Sequence, residues 1–256
     1  MDFSDKVVLI TGASSGIGAA AAVHLAKLGG QLVVVGRNVE KLQETAAKIQ
    51  AVKGKTPLAL QADMTNDQDV KRVVDDTIKK YGKINVLINN AGVLETGTIE
   101  NTSLEQYDRI MNTNVRGVYQ LTMLAVPYLI ATKGNIVNVS SVNGIRSFPG
   151  VLSYNISKAA IDQFTRCVAL ELALKGVRCN SVNPGVIVTD IHKRGGMNDE
   201  TYAKFLEHCR TTHALGRVGQ VEEVAHAIAF LASDHASFTT GVNLPVDGGR
   251  HAMCPR

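Results

Sequence analysis

Seven short apolar runs punctuate this chain: Val7 to Ile10, Leu32 to Val35, Leu58 to Leu60, Val86 to Ile88, Ile136 to Val139, Val177 to Val182 and Val242 to Val246. Most are too continuous for strands that face water on one side, so they read as strands covered on both faces. Between them lie helix-length segments, Ile17 to Leu28, Val39 to Val52, Asp67 to Tyr81, Leu104 to Thr132, Tyr154 to Lys175 and Val221 to Ala232. Strand and helix alternate throughout, which predicts an α/β fold: a doubly wound parallel sheet of about seven strands, with right-handed crossovers and helices on both faces. Local punctuation agrees. Ser103 followed by Gln106 reads as a capping box, and Gly29, Gly30, Gly82 and Gly176 lie where helices should stop. In such sheets ligands bind beyond the carboxyl ends of the strands, where strand order reverses, so the chemistry is expected in the loops that follow strands.

A length of 256 residues is compatible with one large domain or two smaller ones. No Pro/Gly/Ser-rich linker, charge block or repeat interrupts the chain, so one domain over residues 1–256 is expected, with a substrate loop at about 186–214. The first strand begins so soon after Met1 that a signal peptide has no room, and no apolar run approaches the roughly 18 residues of a spanning helix. Cysteines 167, 179, 209 and 254 show neither a C-x-x-C pair nor metal-ligand spacing. Reduced thiols and a cytoplasmic protein without a membrane span are the expectation. The seven histidines form no ligand-spaced group with acids or cysteines, so no metal is expected. A formal charge of +4 is scattered among acids, Trp is absent and aromatics are 5% of the chain, which argues against a nucleic-acid surface.

Directly after the first strand comes Thr11-Gly12-Ala13-Ser14-Ser15-Gly16-Ile17-Gly18, leading into the alanine-rich start of a helix. Glycines let the backbone turn tightly and approach a pyrophosphate, whose charge is met by orphan N–H groups and the helix dipole. On its own such a loop can equally be a plain strand-to-helix turn. At the end of the second strand, where NAD-dependent dinucleotide folds carry an acid for the ribose hydroxyls, this chain has Gly36-Arg37-Asn38. A guanidinium in place of a carboxylate favours NADP(H), with NAD(H) as the alternative. Further on, Tyr154 alone among the tyrosines has a lysine four residues later. At i,i+4 on a helix the two side chains share a face, and an ammonium beside a phenol with an ordinary pKa near ~10 stabilises its charged form. Ser141, thirteen residues before Tyr154, offers a hydroxyl for a substrate oxygen. A solvated helix face is the plainer reading of an isolated Tyr/Lys pair.

Taken together, Thr11 to Gly18, Asn89-Asn90-Ala91-Gly92, Asn114, Ser141, Tyr154-x-x-x-Lys158 and Asn183-Pro184-Gly185 resemble the short-chain dehydrogenase/reductases in their compact single-domain, Rossmann-type branch. The resemblance runs from about residue 5 to Gly249. It implies a hydride-transferring oxidoreductase with a tetrad. Tyr154 would be the general acid/base, Lys158 would lower its pKa and bind the nicotinamide ribose, Ser141 would orient the carbonyl, and Asn114 would support Lys158 through an ordered water. For the cofactor it implies Gly12, Ser14, Ser15, Gly16, Ile17 and Gly18 at the pyrophosphate, Arg37 and Asn38 at the adenosine phosphate, and Asp63 at the adenine. Asn90, Ala91 and Gly92 would lie along the adenosine, and Pro184, Gly185, Val186 and Thr189 would hold the nicotinamide carboxamide. Asp63 and the Asn90 segment also read as turn and capping chemistry. Ser15 stands where NADP-preferring relatives often have a second basic residue.

Substrate contacts are expected from Ser141, Asn143, Leu152, Tyr154 and Gly185. The pocket segments Val142 to Ser153 and Val188 to Ala214 add Ile145, Phe148, Val151, His192, Met197, Tyr202, Phe205 and His213, a mostly apolar set that suggests a lipophilic ketone, aldehyde or alcohol. Gly195 and Gly196 suggest a lid. The two long helices resemble the family's subunit contacts, so a homotetramer is expected first and a dimer second. Other readings stay open: an NAD(H)-dependent alcohol or steroid dehydrogenase, a 3-oxoacyl-thioester reductase, a sugar-nucleotide epimerase or dehydratase, and a catalytically silent scaffold.

Overall fold

In the computed structural model, which describes residues 1–254, seven strands form one parallel sheet in the order β3-β2-β1-β4-β5-β6-β7. Positions 255 and 256, the end of the span read as one domain, lie outside the described residues. The strands are β1 (Val7–Thr11), β2 (Gln31–Gly36), β3 (Leu58–Gln61), β4 (Val86–Asn89), β5 (Asn135–Val139), β6 (Arg178–Pro184) and β7 (Asn243–Val246). All seven fall on the apolar runs read from the sequence. The chain winds outward through β2 and β3, then returns past β1 to begin β4. Strand order therefore reverses between β1 and β4, opening a crevice at their carboxyl ends.

Strand parity divides the interior into two cores. Val8 and Ile10 of β1 point to one face, where they meet Ala21 and Leu25 of α1 (Gly16–Lys27), Leu42 and Ile49 of α2 (Val39–Lys53), and Val224 and Ile228 of α10 (Val221–Ala232). Val7 and Leu9 point to the other, against Val70 and Val73 of α3 (Asp67–Tyr81), Leu121 and Leu129 of α5 (Gly117–Thr132), and Val168 and Leu172 of α7 (Leu152–Leu172). Helices on both faces explain why the strands need no polar side.

Gly82 and Gly176 end their helices in the left-handed region, with φ of 71° and 78°. Only half of the expected capping box forms. Ser103 Oγ accepts from the Gln106 amide at 3.2 Å, but the Gln106 side chain donates at 2.8 Å to the Thr96 carbonyl in the preceding loop. The segment Leu104 to Thr132, expected as one helix, is α4 (Leu104–Met111), a π-helical turn over Asn112–Arg116, and then α5. A π turn inserts one residue and swings a side chain out of register. Close packing accompanies it: a Cβ on Gly117 would lie 2.5 Å from the Met64 carbonyl. The short α6 (Val142–Ile145) and α8 (Ile191–Arg194), with α9 (Asp199–Thr212), occupy the loops after β5 and β6. Among the described residues no helix is long and apolar enough to cross a membrane.

Candidate active site

The loop after β1 packs against the segment after β4 only because Gly12 and Gly18 lack side chains. Gly12 has φ of 64°, and a Cβ there would sit 2.7 Å from Asn90 Nδ2 and 2.8 Å from Ala91 Cα. A Cβ on Gly18 would collide with Asn90 Nδ2 and lie 2.5 Å from the Gly12 carbonyl. Asn90 braces the loop, donating to the carbonyls of Thr11 (2.9 Å) and Gly12 (3.1 Å), while Thr11 Oγ1 accepts from the amides of Asn90 and Ala91. In front lies a cleft of about 440 Å³. Gly12, Ser14, Ser15, Gly16, Ile17, Arg37, Asn38, Asp63, Asn90, Ala91, Gly92 and Thr189 all line it. Gly18 does not; it packs behind the loop, where only a residue without Cβ fits.

This cleft fits a dinucleotide. Bare backbone at a helix N-terminus faces its middle, and a guanidinium stands at the β2 end. At the other end, a Cβ on Gly92 would be 3.4 Å from Asn114 Oδ1 and 3.7 Å from Lys158 Nζ, so Gly92 keeps the floor thin above the tetrad.

At the β2 end, Arg37 Nη1 is 3.8 Å from Asp63 Oδ2, with both side chains well exposed, an arrangement that contributes little on its own. Asp63 Oδ1 is occupied within its own turn by the Thr65 amide and hydroxyl, at 2.9 and 2.8 Å. Asn38 Oδ1 caps α2 through the Lys41 amide at 2.8 Å. Two cations that no motif marked also line the cleft, Lys41 and Arg194. Arg194 Nη1 donates to Ser15 Oγ at 3.1 Å, and Lys41 Nζ lies 3.8 Å from Asp190, so α8 is tied across the glycine loop. Arg194 is 179 residues from Ser15, and nothing local in the sequence links them.

Ser141 follows β5, and α7 carries Tyr154 and Lys158; none of the three lines the cleft, but Lys158 lies just behind Gly92, which does. Tyr154 is 7% exposed and Lys158 5%. Lys158 Nζ is 5.6 Å from the centre of the Tyr154 ring and donates to the Val139 carbonyl at 2.9 Å. Ser141 Oγ donates to Asn143 Oδ1 and accepts from the Asn143 amide, both at 3.1 Å. Asn143 in turn donates at 2.7 Å to Asn155. Leu152 opens α7, half-buried, two residues before Tyr154.

Asn114 lies on the π turn. Its Oδ1 accepts from the Val93 amide at 2.8 Å, and its Nδ2 donates to the Val93 carbonyl at 2.9 Å and to Ser157 Oγ at 3.0 Å. Ser157 then donates to the Tyr154 carbonyl at 2.8 Å. The Asn114 side chain thus sets the register between the β4 loop and the helix bearing the Tyr/Lys pair, and makes no direct contact with the lysine.

Burial dominates the electrostatics of the pair. It disfavours the Tyr154 phenolate and pushes the pKa up to about 12, with the Ser141 hydroxyl pulling the other way by less. The ammonium is itself desolvated and directed at Val139, and burial brings it down to about 8 while the Asp162 carboxylate opposes the fall. Asp162, one further turn along α7, was missed from sequence; burial raises its pKa. Asn183 Nδ2 lies 3.0 and 2.9 Å from its two oxygens and also donates to the Ser141 carbonyl at 2.9 Å. The i,i+4 spacing of Lys158 and Asp162 was the available signal.

Beyond β6, Thr189 lines the cleft, whereas Pro184, Gly185 and Val186, like Ser141, Tyr154 and Lys158, lie outside its lining. Pro184 ends β6, Gly185 is pinned to the Val246 carbonyl at 3.1 Å, and Val186 borders a separate cavity behind the turn. Tyr202 and His213, expected in the pocket, are buried beneath the same turn. The Tyr202 hydroxyl donates to the Thr189 carbonyl at 3.0 Å and accepts from its amide at 3.3 Å. His192 on α8 packs on Phe205 of α9 with ring centres 4.7 Å apart. Gly195 fits against Leu94, whose carbonyl would be 2.7 Å from a Cβ there, so the segment after α8 rests on the β4 loop. Among the described residues no group of three His, Cys, Asp or Glu could hold a metal ion.

Comparison with known proteins agrees with this architecture. A family model described as enoyl-(acyl carrier protein) reductase matches residues 12–251. The chain is 39% identical over 251 residues to 3-oxoacyl-(acyl-carrier-protein) reductase FabG of Thermotoga maritima, covering 97% of this chain and 99% of that protein. It is equally 39% identical over 252 residues to meso-2,3-butanediol dehydrogenase of Serratia marcescens, covering 98% and 97%. Among solved structures, a short-chain dehydrogenase/reductase of unknown function from Caenorhabditis elegans, solved with cofactor, superposes with a TM-score of 0.93 at 36% identity over 98% of this chain and 97% of that one.

Proposed function

The chain belongs to the short-chain dehydrogenase/reductase family, and from that premise we propose that it is an NADP(H)-preferring reductase of a lipophilic ketone or aldehyde, with Tyr154 as its general acid/base. Oxidoreductase chemistry between alcohol and carbonyl with a nicotinamide cofactor is the common ground of the family. The observation that supports the finer reading is a buried, protonated phenol, Tyr154, with Ser141 and Lys158 beside it, Lys158 lying just behind Gly92 in the wall of the cleft.

A bound reduced nicotinamide supplies the hydride. With a pKa of about 12 the Tyr154 hydroxyl keeps its proton at neutral pH and can give it to the carbonyl oxygen as negative charge develops there. Ser141, whose hydroxyl now points at Asn143, can turn to hold the same oxygen. Lys158, near 8, carries enough positive charge at neutral pH to steady the phenolate that Tyr154 becomes. Asn114 and Ser157 hold the helix that bears the pair. Ser15, Gly16 and Thr189 bracket the place for the pyrophosphate, and Asn90 keeps the loop beneath it in shape.

The NADP(H) preference is supported by the exposed Arg37 guanidinium, whose one acidic neighbour lies 3.8 Å away, and by Lys41 on the same stretch of cleft. A lipophilic substrate is supported by Val93, Leu94 and Ile191 where the cleft nears the lid. A 3-oxoacyl-thioester reductase is the second reading, favoured by the name of the Thermotoga relative; the butanediol relative points to a smaller alcohol. Exposed Tyr119 and Met123 on α5 and Ile156 and Leu170 on α7 support a homotetramer, which sedimentation tests. One sheet running through the whole fold supports a single domain, and four free thiols suit the cytoplasm.

The deciding experiment is oxidation of NADPH and NADH by the purified protein against ketones, aldehydes and a 3-oxoacyl thioester, with Tyr154→Phe beside the wild type. Turnover that favours NADPH and vanishes in the variant is expected. Cofactor binding without turnover on any member of the panel would leave the scaffold reading standing instead.

A further inference from the structure

We propose that His213 is a positioning residue for the nicotinamide end of the site: by accepting the Val186 N–H it sets the Gly185–Thr189 turn in the shape that presents Ile187 N–H and Thr189 to the cofactor. The inference rests on the dinucleotide-dependent reading above and adds to it a residue that no motif marks.

Four of the five main-chain N–H groups in this turn are already taken. Gly185 donates to the Val246 carbonyl (3.1 Å), Val186 to His213 Nε2 (3.1 Å), Val188 to the Gly219 carbonyl (3.0 Å) and Thr189 to the Tyr202 hydroxyl (3.3 Å). Ile187 N–H makes no hydrogen bond among the described residues, and Ile187, 5% exposed, lines the cavity behind the turn and not the cleft. A buried, unpartnered main-chain donor is costly unless a ligand satisfies it, and a carboxamide oxygen is an acceptor of the right kind. Thr189, two residues on, lines the cleft, and its Cγ2 would lie 3.2 Å from a Cβ on Gly16, so the turn meets the glycine loop directly.

Of the four locks, only the one on Val186 uses a side chain that can change charge near neutral pH. His213 Nδ1 is 2.7 Å from the Cys209 carbonyl, which can only accept, so Nδ1 carries the proton and Nε2 holds the lone pair that Val186 needs. The ring packs so closely on the turn that position 185 admits no side chain: a Cβ there would lie 2.8 Å from Nε2 and 2.9 Å from Asp247 Cα. A second proton on the ring would set N–H against N–H and break the lock.

The charged groups facing the ring come from two elements. Cys209 on α9 contributes its carbonyl, while after β7 Arg250 disfavours the imidazolium and Asp247 favours it. Asp247 is itself occupied by the amides of Gly249 and His251 and by His251 Nδ1, at 3.0, 2.6 and 2.9 Å. Burial is the largest influence and keeps His213 neutral at pH 7. The cavity of about 370 Å³ behind the turn, which His213 and His251 line, gives protons access from that side.

The test is calorimetric binding of the preferred dinucleotide and of the matching fragment without nicotinamide, ADP-ribose or its 2′-phosphate. His213→Met removes the acceptor, whereas in His213→Gln a side-chain carbonyl can replace Nε2. We expect His213→Met to weaken the dinucleotide about tenfold, the effect of one buried hydrogen bond, and to leave the fragment unchanged. His213→Gln should restore affinity and abolish the loss of dinucleotide affinity that the wild type shows on going from about pH 7.5 to about pH 5.5, below the ordinary histidine pKa. The inference is overturned if His213→Met binds both ligands as the wild type does, or weakens both equally. Should His213→Met not fold, the acid response decides: if it persists in His213→Gln, the inference fails. A wild type that binds the fragment but gains nothing from the nicotinamide also sinks it, while one that binds no dinucleotide at all overturns the cofactor reading first.

Discussion

The Lys158 ammonium stands 5.6 Å from the centre of the Tyr154 ring, yet its hydrogen bond goes to the Val139 carbonyl at 2.9 Å and not to the phenol. The pair is pre-assembled on one helical turn, and burial is the largest influence on the charge of each partner. A protonated phenol suits the acid role in reduction.

Tyr154→Phe removes the proton that completes carbonyl reduction. Turnover should fall by about 10² to 10⁴ while dinucleotide affinity stays within about twofold, because general acid catalysis is lost and the cleft is untouched. Steady-state rates together with fluorescence titration of the reduced cofactor measure both.

Arg37 and Arg194 should separate by the phosphate each serves. Arg37→Asp is expected to weaken NADPH by about tenfold or more and to leave NADH nearly unchanged, because a like charge replaces the guanidinium near a 2′-phosphate. Arg194→Gln should weaken both dinucleotides alike, since its guanidinium sits on Ser15 beside the loop that would meet the shared pyrophosphate. Selectivity unchanged in the Arg37 variant would contradict the NADP(H) assignment.

Asp162→Asn should shift the pH profile. Asp162 opposes the burial that lowers Lys158 to about 8, so without its charge the lysine loses its proton at lower pH. If Lys158 must be charged to steady the phenolate, the alkaline fall in reductase activity moves to lower pH in the variant. A profile that stays in place would show that the ammonium is not required.

Stability should decline in mild acid. Burial holds His24, His192 and His213 below 6.5, so as pH falls past that value the unfolded chain takes up protons that the fold resists. The effect begins near the unfolded pKa, grows as pH approaches the folded values and then levels off, lowering the melting temperature by several degrees. His24 has a buried, unpartnered Nε2, and its ring centre is 4.6 Å from that of His226 between α1 and α10. His24→Phe should therefore reduce the acid loss, as scanning calorimetry at two pH values would show.

Gly12→Ala tests the loop. With φ of 64° and Asn90 Nδ2 at 2.7 Å from the added Cβ, the loop must shift. Dinucleotide affinity should drop by about tenfold or more, with a stability loss of about 1 to 3 kcal/mol from the strained backbone. Unchanged affinity would mean that the loop does not form the pyrophosphate site.

What the sequence determined by itself was whatever depends on local pattern. Continuous apolar runs placed every strand, since a doubly covered strand must be apolar on both sides. The i,i+4 spacing put Tyr154 and Lys158 on one face, and glycines marked the loop because no other residue fits there. Only the tertiary structure could decide what depends on how distant groups meet. The π turn under Asn114, the clamp from Arg194 to Ser15, the hydrogen bond from Val186 to His213, and the burial that pushes the Tyr154 phenol up all arise from packing between segments far apart in the chain. Burial and long-range hydrogen bonding set a group's orientation and charge, and neither has a periodicity along the chain.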